Sequence, residues 1–129
     1  MSNSTQSNLD RLAAQHAQEI IRCTSDKKPS EVDNTVTKAL GVLQENGVYA
    51  CFLYLLAKEE KNGKVVVDEM LKLLDGLGFD WGKPRNNDVE EILQHITNNV
   101  TVGLERLLLA KETLEQMLIY ARYGAKARG

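Results

Sequence analysis

The stretch Val48-Tyr-Ala-Cys-Phe-Leu-Tyr-Leu-Leu-Ala57 decides the fold, because it is long, apolar and free of charged side chains. An apolar run of this length is also compatible with a buried strand. Alanine and leucine are strong helix formers, however, and the stretch continues directly into the charged sequence Lys58-Glu59-Glu60. These features favour a helix that is buried on nearly all sides.

Helical patterns lie on both sides of this stretch, with apolar residues recurring at spacings of three and four. Asn46-Gly47 and Asn62-Gly63 are typical of chain breaks between helices. Asn8, Ser30 and Asp88 stand where an N-cap is expected, since their side chains can accept a hydrogen bond from a free backbone N–H. The predicted helices run from Asn8 to about Cys23, from Ser30 to Asn46, from Val48 to Ala57, over the apolar positions Val66 to Leu77, from Asp88 to about Asn98, and from about Val100 to Ala127.

The pattern predicts an all-α protein, a single compact bundle of five to six helices with a long C-terminal helix. If the last helix is continuous, it is roughly 40 Å long at 1.5 Å per residue. The length of 129 residues predicts one domain, spanning residues 8–129. Residues 1–7 are rich in Ser, Asn and Gln and are expected to form a flexible N-terminal tail.

Composition excludes several classes of protein. No apolar run approaches the roughly 20 residues that a membrane span needs, and the polar N-terminus lacks the pattern of a signal peptide. The two cysteines are too few for a disulfide framework and fit a reducing compartment. We therefore expect a cytoplasmic protein without membrane contact.

Candidate catalytic groups are sparse. His16 lies on the apolar stripe of the first helix and is interpreted as a partly buried structural residue, whereas His95 is expected at the surface. Cys23 and Cys51 lack a second ligand at zinc-binding spacing, and Cys51 is expected to be a small core residue. We therefore expect no enzyme activity, no metal and no cofactor.

Two further patterns carry no chemistry. The segment Gly78–Pro84 has the wrong glycine spacing for a phosphate-binding loop, and a proline follows its lysine. The acidic pairs point in different directions on a helix and are interpreted as solvated faces; they are Glu59-Glu60, Asp68-Glu69 and Glu90-Glu91.

The distribution of charge is more informative than the formal net charge of −2. Residues 65–99 are predominantly acidic, whereas the last ten residues, Tyr120 to Gly129, hold three cations, two tyrosines and no acid. One interpretation is a solvated helix end whose dipole favours cations. The other is an edge that contacts nucleic-acid phosphates. On the second interpretation, the candidate RNA-binding residues are Arg122, Lys126, Arg128, Arg106 and Lys28.

Two segments resemble a known family. The first is Val36-Thr-Lys-Ala-Leu-Gly-Val-Leu-Gln-Glu-Asn-Gly47 together with the apolar helix up to Lys58. The second is Leu108-Leu-Ala-Lys-Glu-Thr-Leu-Glu-Gln-Met-Leu-Ile-Tyr-Ala-Arg-Tyr-Gly-Ala-Lys-Ala127. Their order resembles the small α-helical subunit of type III-B CRISPR effector complexes, the Cmr small-subunit family. Ile119 and Ala121 depart from it, since the family often has tryptophan and lysine there.

The resemblance implies a non-catalytic subunit of an RNA-guided interference complex. Such subunits stack as neighbouring copies in an inner filament, contact backbone and large subunits, and touch the phosphates of guide and target RNA. No small-molecule substrate is implied. Two alternatives stay open: the small subunit of a related type III-A complex, and a free-standing helical protein-interaction module that binds no nucleic acid.

Overall fold

The computed structural model describes residues 2–58 and 60–129, and for residues 2–8 it describes the backbone alone. Within these ranges the chain is helical and contains no strand, which confirms the predicted all-α bundle with a long C-terminal helix. The helices are α1 (Ser2–Cys23), α2 (Pro29–Asn46), α3 (Val48–Lys58), α4 (Lys61–Gly76), α5 (Val89–His95), a π-helical turn (Ile96–Val100) and α6 (Leu104–Arg128).

The long helix α6 packs along both α1 and α2, and this three-helix contact forms the centre of the bundle. Helix α4 lies against α1, and α3 bridges α2 and α4. Burying a large aliphatic or aromatic side chain contributes about 1.5–3 kcal/mol, so the interior dominates stability. The largest buried apolar side chains are Ile20, Leu43, Phe52, Leu55, Met70, Leu73, Leu74, Ile96, Leu114, Met117 and Leu118.

Two predicted helix starts are wrong. Helix α1 begins at Ser2, so Asn8 lies inside the helix rather than at its N-cap. Helix α2 begins at Pro29 with Lys28 as N-cap, because proline fits the first turn, where its missing N–H costs no hydrogen bond. The expected flexibility of residues 1–7 stays a prediction, and Met1 lies outside the described residues.

The break between α3 and α4 also differs from the prediction. Asn62 and Gly63 lie buried in the first turn of α4 rather than between helices. A Cβ on Gly63 would lie 3.4 Å from the carbonyl oxygen of Leu55, an ordinary van der Waals distance, so this turn of α4 lies directly against α3. By contrast, the predicted stop at Asn46-Gly47 is confirmed, since Gly47 ends α2 with a φ of 98°.

Helix α3 is not buried on nearly all sides. Cys51, Phe52 and Leu55 face the interior, but Tyr49 and Leu53 are exposed. The reason is that α3 packs on α2 and α4 from outside the central three helices, so one face of α3 has no neighbour within the described chain.

None of the described helices combines the length and apolar character that a membrane crossing requires.

Candidate nucleic-acid interface

The fold brings four of the five predicted RNA-binding residues to one end of the bundle. Arg122, Lys126 and Arg128 lie in the last turns of α6, and Lys28 is the N-cap of α2. Arg106 lies in the first turn of α6. Since each residue adds about 1.5 Å, Arg106 is about 33 Å along the helix from Arg128.

Arg128 fastens the end of α6 to the α1–α2 loop (residues 24–28). Its guanidinium donates to the carbonyl oxygens of Ile21, Thr24, Ser25 and Lys27, and the shortest of these bonds is 2.7 Å, to Lys27. A helix C-terminus exposes carbonyls without intrahelical partners and carries a partial negative charge. Arg128 therefore caps α1 and positions the loop that carries Lys28.

Lys126 and Arg122 lie on the side of α6 that faces the start of α2. Lys126 Nζ is 3.1 Å from Asp33 Oδ2, and Asp33 also accepts a hydrogen bond of 2.9 Å from Thr37 Oγ1. Lys126, then Thr37, and more weakly Arg122 hold the pKa of the Asp33 carboxyl below its ordinary value. Arg122 Nε is buried and has no hydrogen-bond partner among the described atoms.

These side chains, together with Lys27, form what we call the basic end: Lys27, Lys28, Arg122, Lys126 and Arg128. The nearby acids are Asp26, Glu31 and Asp33, and Asp26 is already paired with Lys61 at 3.5 Å. Cations therefore outnumber acids locally, although the whole chain is slightly acidic. Tyr123 is mostly exposed on the same turns of α6, so an aromatic face lies among the cations.

Arg106 belongs to a different cluster. Its guanidinium carbon is 4.8 Å from the centre of the Phe79 ring, which is a cation–π distance. Phe79 in turn meets Trp81 edge to face at 5.0 Å. Arg106 is thus separated from the basic end and stacked on the loop between α4 and α5.

A buried charge was missed from the sequence. Glu69 is only 1% exposed, so the prediction of a solvated Asp68-Glu69 face is wrong for this residue. Its Oε1 is 2.8 Å from His16 Nδ1 and its Oε2 is 3.3 Å from Lys72 Nζ. The expectation that His16 is a partly buried structural residue is confirmed. The missed signal was the position of Glu69 within the apolar stripe of α4.

The prediction that His95 lies at the surface is also wrong, since this residue is only 8% exposed. Its Nδ1 lies 3.3 Å from Asn99 Nδ2, and its Nε2 has no partner among the described atoms. Burial lowers the pKa of His95 below its ordinary value. The π-helical turn places Asn99, four residues further on, against His95, and Asn99 Nδ2 also donates to the carbonyl oxygen of His95 at 3.0 Å.

The remaining candidate groups do not converge on a reactive centre. Cys51 is buried in the core with its Sγ 3.4 Å from the carbonyl oxygen of Ala39, and burial raises the pKa of its thiol to about 12. Cys23 is exposed and unpaired with Cys51. Over residues 2–58 and 60–129, no cluster of three or more His, Cys, Asp or Glu side chains could hold a metal ion.

Comparison with known proteins yields no family model that matches the chain, and no match among curated proteins or solved structures.

Proposed function

We propose that the chain is a non-catalytic small subunit of a type III-B CRISPR effector complex, in which it contacts the phosphates of guide and target RNA. The observation that carries the proposal is the convergence of α6 and the α1–α2 loop into the basic end. The resemblance of residues 36–58 and 108–127 to the Cmr small-subunit family supplies the identity of the complex.

The electrostatics of the basic end suit a sequence-independent contact. Phosphate contacts made by Lys and Arg position a nucleic acid without reading its bases. Sequence selection in an RNA-guided complex is performed by guide pairing, so such a subunit needs charge and shape only. Lys28 and Lys126 are exposed, and Tyr123 offers a ring on which an unpaired base could stack.

The five candidate residues have different roles in this proposal. Lys28, Lys126 and Arg122 contact phosphates, and Asp33 holds Lys126 in place until a phosphate competes for it. Arg128 acts chiefly through structure, because its donors are already engaged by the loop carbonyls. Arg106 lies too far from the basic end to touch the same phosphates, so it contacts RNA only if the strand runs along α6.

A few contacts of this kind bind RNA weakly. We therefore expect weak RNA binding by the isolated chain and stronger binding when neighbouring copies align their basic ends in the complex, beside the backbone and large subunits. Several basic ends held side by side raise one another's effective concentration for the same RNA strand. Together they bind the strand far more tightly than one basic end does alone.

The test is reconstitution of the effector complex with variant small subunits. We expect the variant Lys28→Ala/Arg122→Ala/Lys126→Ala to assemble but to lose affinity for target RNA. The matched control is Lys64→Ala/Lys83→Ala/Arg85→Ala, which removes the same charge outside the basic end. Equal affinities for the two triple variants would overturn the assignment of the RNA-binding residues.

One observation favours the alternative of a free-standing protein-interaction module. Val102, Leu104 and Leu108 form an apolar patch that is exposed at the start of α6, and exposed apolar patches often mark protein contacts. Copurification distinguishes the two functions. A CRISPR subunit, of type III-B or III-A, will copurify with guide RNA and backbone subunits, whereas a free-standing module will not.

A further inference from the structure

One acid contacts a cation of the basic end directly. Asp33 belongs to α2, and its Oδ2 is 3.1 Å from the Nζ of Lys126 in the last turn of α6. Asp33 Oδ1 accepts a hydrogen bond of 2.9 Å from Thr37 Oγ1. The Asp33 side chain is 24% exposed and the Lys126 side chain is 49% exposed. The pair is therefore open to solvent on one side.

The groups around the Asp33 carboxylate are of the kinds that bind phosphate in proteins. Lys126 lowers the pKa of Asp33 most, followed by Thr37, and Arg122 is close enough to add to the effect. An ammonium, a hydroxyl and a guanidinium are all common phosphate donors. Arg122 Nε is also buried without a partner among the described atoms. Asp33 therefore occupies the place of a phosphate in a donor set that it does not saturate.

This contact engages one of the three proposed phosphate-binding residues. Among the residues with described side chains, Lys28 and Arg122 take part in no ion pair, whereas Lys126 pairs with Asp33 alone. An RNA phosphate that binds Lys126 must therefore break its pair with Asp33. An ion pair that is partly exposed to water is weak, so the contact lowers the affinity for RNA without abolishing it.

We propose that Asp33 is an autoinhibitory residue of the basic end, whose carboxylate holds Lys126 in the free subunit and is displaced when an RNA phosphate binds. This inference rests on the proposed RNA-binding function, because it concerns the regulation of the same site. Displacement of Asp33 subtracts a small amount from the affinity of each copy. RNA binding then depends more strongly on several neighbouring copies that contact one strand, and a single free subunit binds RNA weakly.

The experiment measures the target-RNA affinity of the reconstituted effector complex at one fixed salt concentration, by filter binding of labelled RNA. Asp33→Asn keeps the volume of the side chain and an oxygen that accepts the Thr37 hydrogen bond, but it removes the charge that holds Lys126. We expect RNA to bind about two- to fivefold more tightly for each subunit that contacts it, which is the contribution of an exposed ion pair.

The matched control is Asp26→Asn. It removes the same charge close to the basic end, but Asp26 pairs with Lys61 at 3.5 Å and not with Lys126. We expect this variant to change the affinity by less than about 1.5-fold. The comparison separates release of Lys126 from a general gain in positive charge.

A double-mutant cycle tests whether Asp33 acts through Lys126. In the Lys126→Ala background the carboxylate has no ammonium to hold. Asp33→Asn should therefore lose most of its effect on RNA affinity in that background. An undiminished gain would overturn the proposal.

The pair itself is tested without RNA, by ¹³C NMR titration of the aspartate carboxyl groups of the isolated chain. Lys126→Ala should raise the pKa of Asp33 toward its ordinary value of 3.8, because Lys126 is the main cause of the lowered pKa. An unchanged pKa would show that Lys126 does not engage Asp33 in solution, and the proposal would fail. Urea unfolding followed by circular dichroism verifies the fold of each variant.

Lys126→Ala alone distinguishes failure of this inference from failure of the proposed function. If Lys126→Ala weakens RNA binding but Asp33→Asn binds no more tightly than the wild type, RNA contact stands and autoinhibition is refuted. Equal gains from Asp33→Asn and Asp26→Asn refute it as well, because the effect then reflects charge in general. If Lys126→Ala leaves RNA binding unchanged, Lys126 does not contact RNA, and the assignment of this residue and the inference fall together.

Discussion

Removal of the His16 imidazole is expected to destabilise the bundle, because it leaves Glu69 with a single partner inside the protein. Glu69 is 1% exposed and belongs to α4, whereas His16 belongs to α1. The contact of 2.8 Å between His16 Nδ1 and Glu69 Oε1 therefore joins α1 to α4 through a hydrogen bond. Lys72, on the same helix as Glu69, contacts the other carboxylate oxygen at 3.3 Å.

The size of the effect follows from burial. Removing one partner of a fully buried pair costs about 3–5 kcal/mol. The His16 side chain is 18% exposed and Lys72 remains in place, so we expect His16→Ala to cost about 2 kcal/mol. For a chain of this size, that loss lowers the melting temperature by about 6–10 °C.

Replacing both His16 and Glu69 with apolar residues is expected to change stability little. His16→Leu/Glu69→Met keeps volume at the α1–α4 contact and removes the buried charge. Replacement of a buried pair by well-packed apolar residues is often neutral or stabilising. The free energy of unfolding of the double variant should therefore lie within about 1 kcal/mol of the wild-type value. Urea unfolding followed by far-UV circular dichroism measures the free energy of unfolding for both variants.

The control is Arg22→Ala, which breaks an exposed ion pair of 2.8 Å with Glu19 and should leave stability unchanged within error. If His16→Ala behaves like this control, then Glu69 is not held by His16. If the double variant is as unstable as His16→Ala, the loss comes from packing around the imidazole rather than from a buried charge left with one partner.

Three further outcomes are expected. Arg128→Ala should lower the free energy of unfolding by about 1–2 kcal/mol, because the carbonyl of Ile21 in α1 and three carbonyls of the α1–α2 loop lose a cationic donor. Urea unfolding equal to that of the wild type would show that the cap is dispensable. Burial holds the pKa of His95 below its ordinary value of 6.5, so the folded state binds this proton less readily than the unfolded state. The stability contribution of neutral His95 is fully present above about pH 6.5 and declines as pH falls toward the lowered pKa. His95→Gln should therefore show a shallower loss of stability between neutral and mildly acidic pH, and identical slopes would contradict the assignment. Finally, thiol titration of the native protein should modify the exposed Cys23 rapidly and Cys51 only after denaturation, since burial raises the Cys51 pKa to about 12; two fast thiols would contradict the buried position.

Apolar spacing predicted the architecture well, because a helix buries one face and the residues of that face recur every three or four positions in the sequence. This spacing predicted the long α6, whereas the Asn46-Gly47 stop predicted the end of α2 and Asp88 as N-cap predicted the start of α5. Helix ends were less predictable from single residue types. Pro29 rather than Ser30 begins α2, and Gly63 resembles a chain break but lies in the first turn of α4.

Residues whose roles depend on another helix could not be placed from the sequence. Glu69 belongs to the acidic pair Asp68-Glu69 in the sequence. Its partner in the fold, His16, is 53 positions away. The sequence around Arg128 is typical of a solvated helix end. The hydrogen bonds of Arg128 to the α1–α2 loop depend on how α6 packs along α1. For the candidate interface, the sequence predicted the cations, whereas the fold determined that Arg106 lies apart from the others.

The most direct test of RNA contact by the basic end is the salt dependence of target-RNA binding by the reconstituted complex. Each lost phosphate contact reduces the slope of log affinity against log salt by about 0.7–0.9. We expect Lys28→Ala/Arg122→Ala/Lys126→Ala to reduce the slope by up to about 2–3 for each subunit that contacts the RNA, and Lys64→Ala/Lys83→Ala/Arg85→Ala to leave it unchanged. Identical slopes for the wild type and both triple variants would contradict a phosphate-contacting role for the basic end.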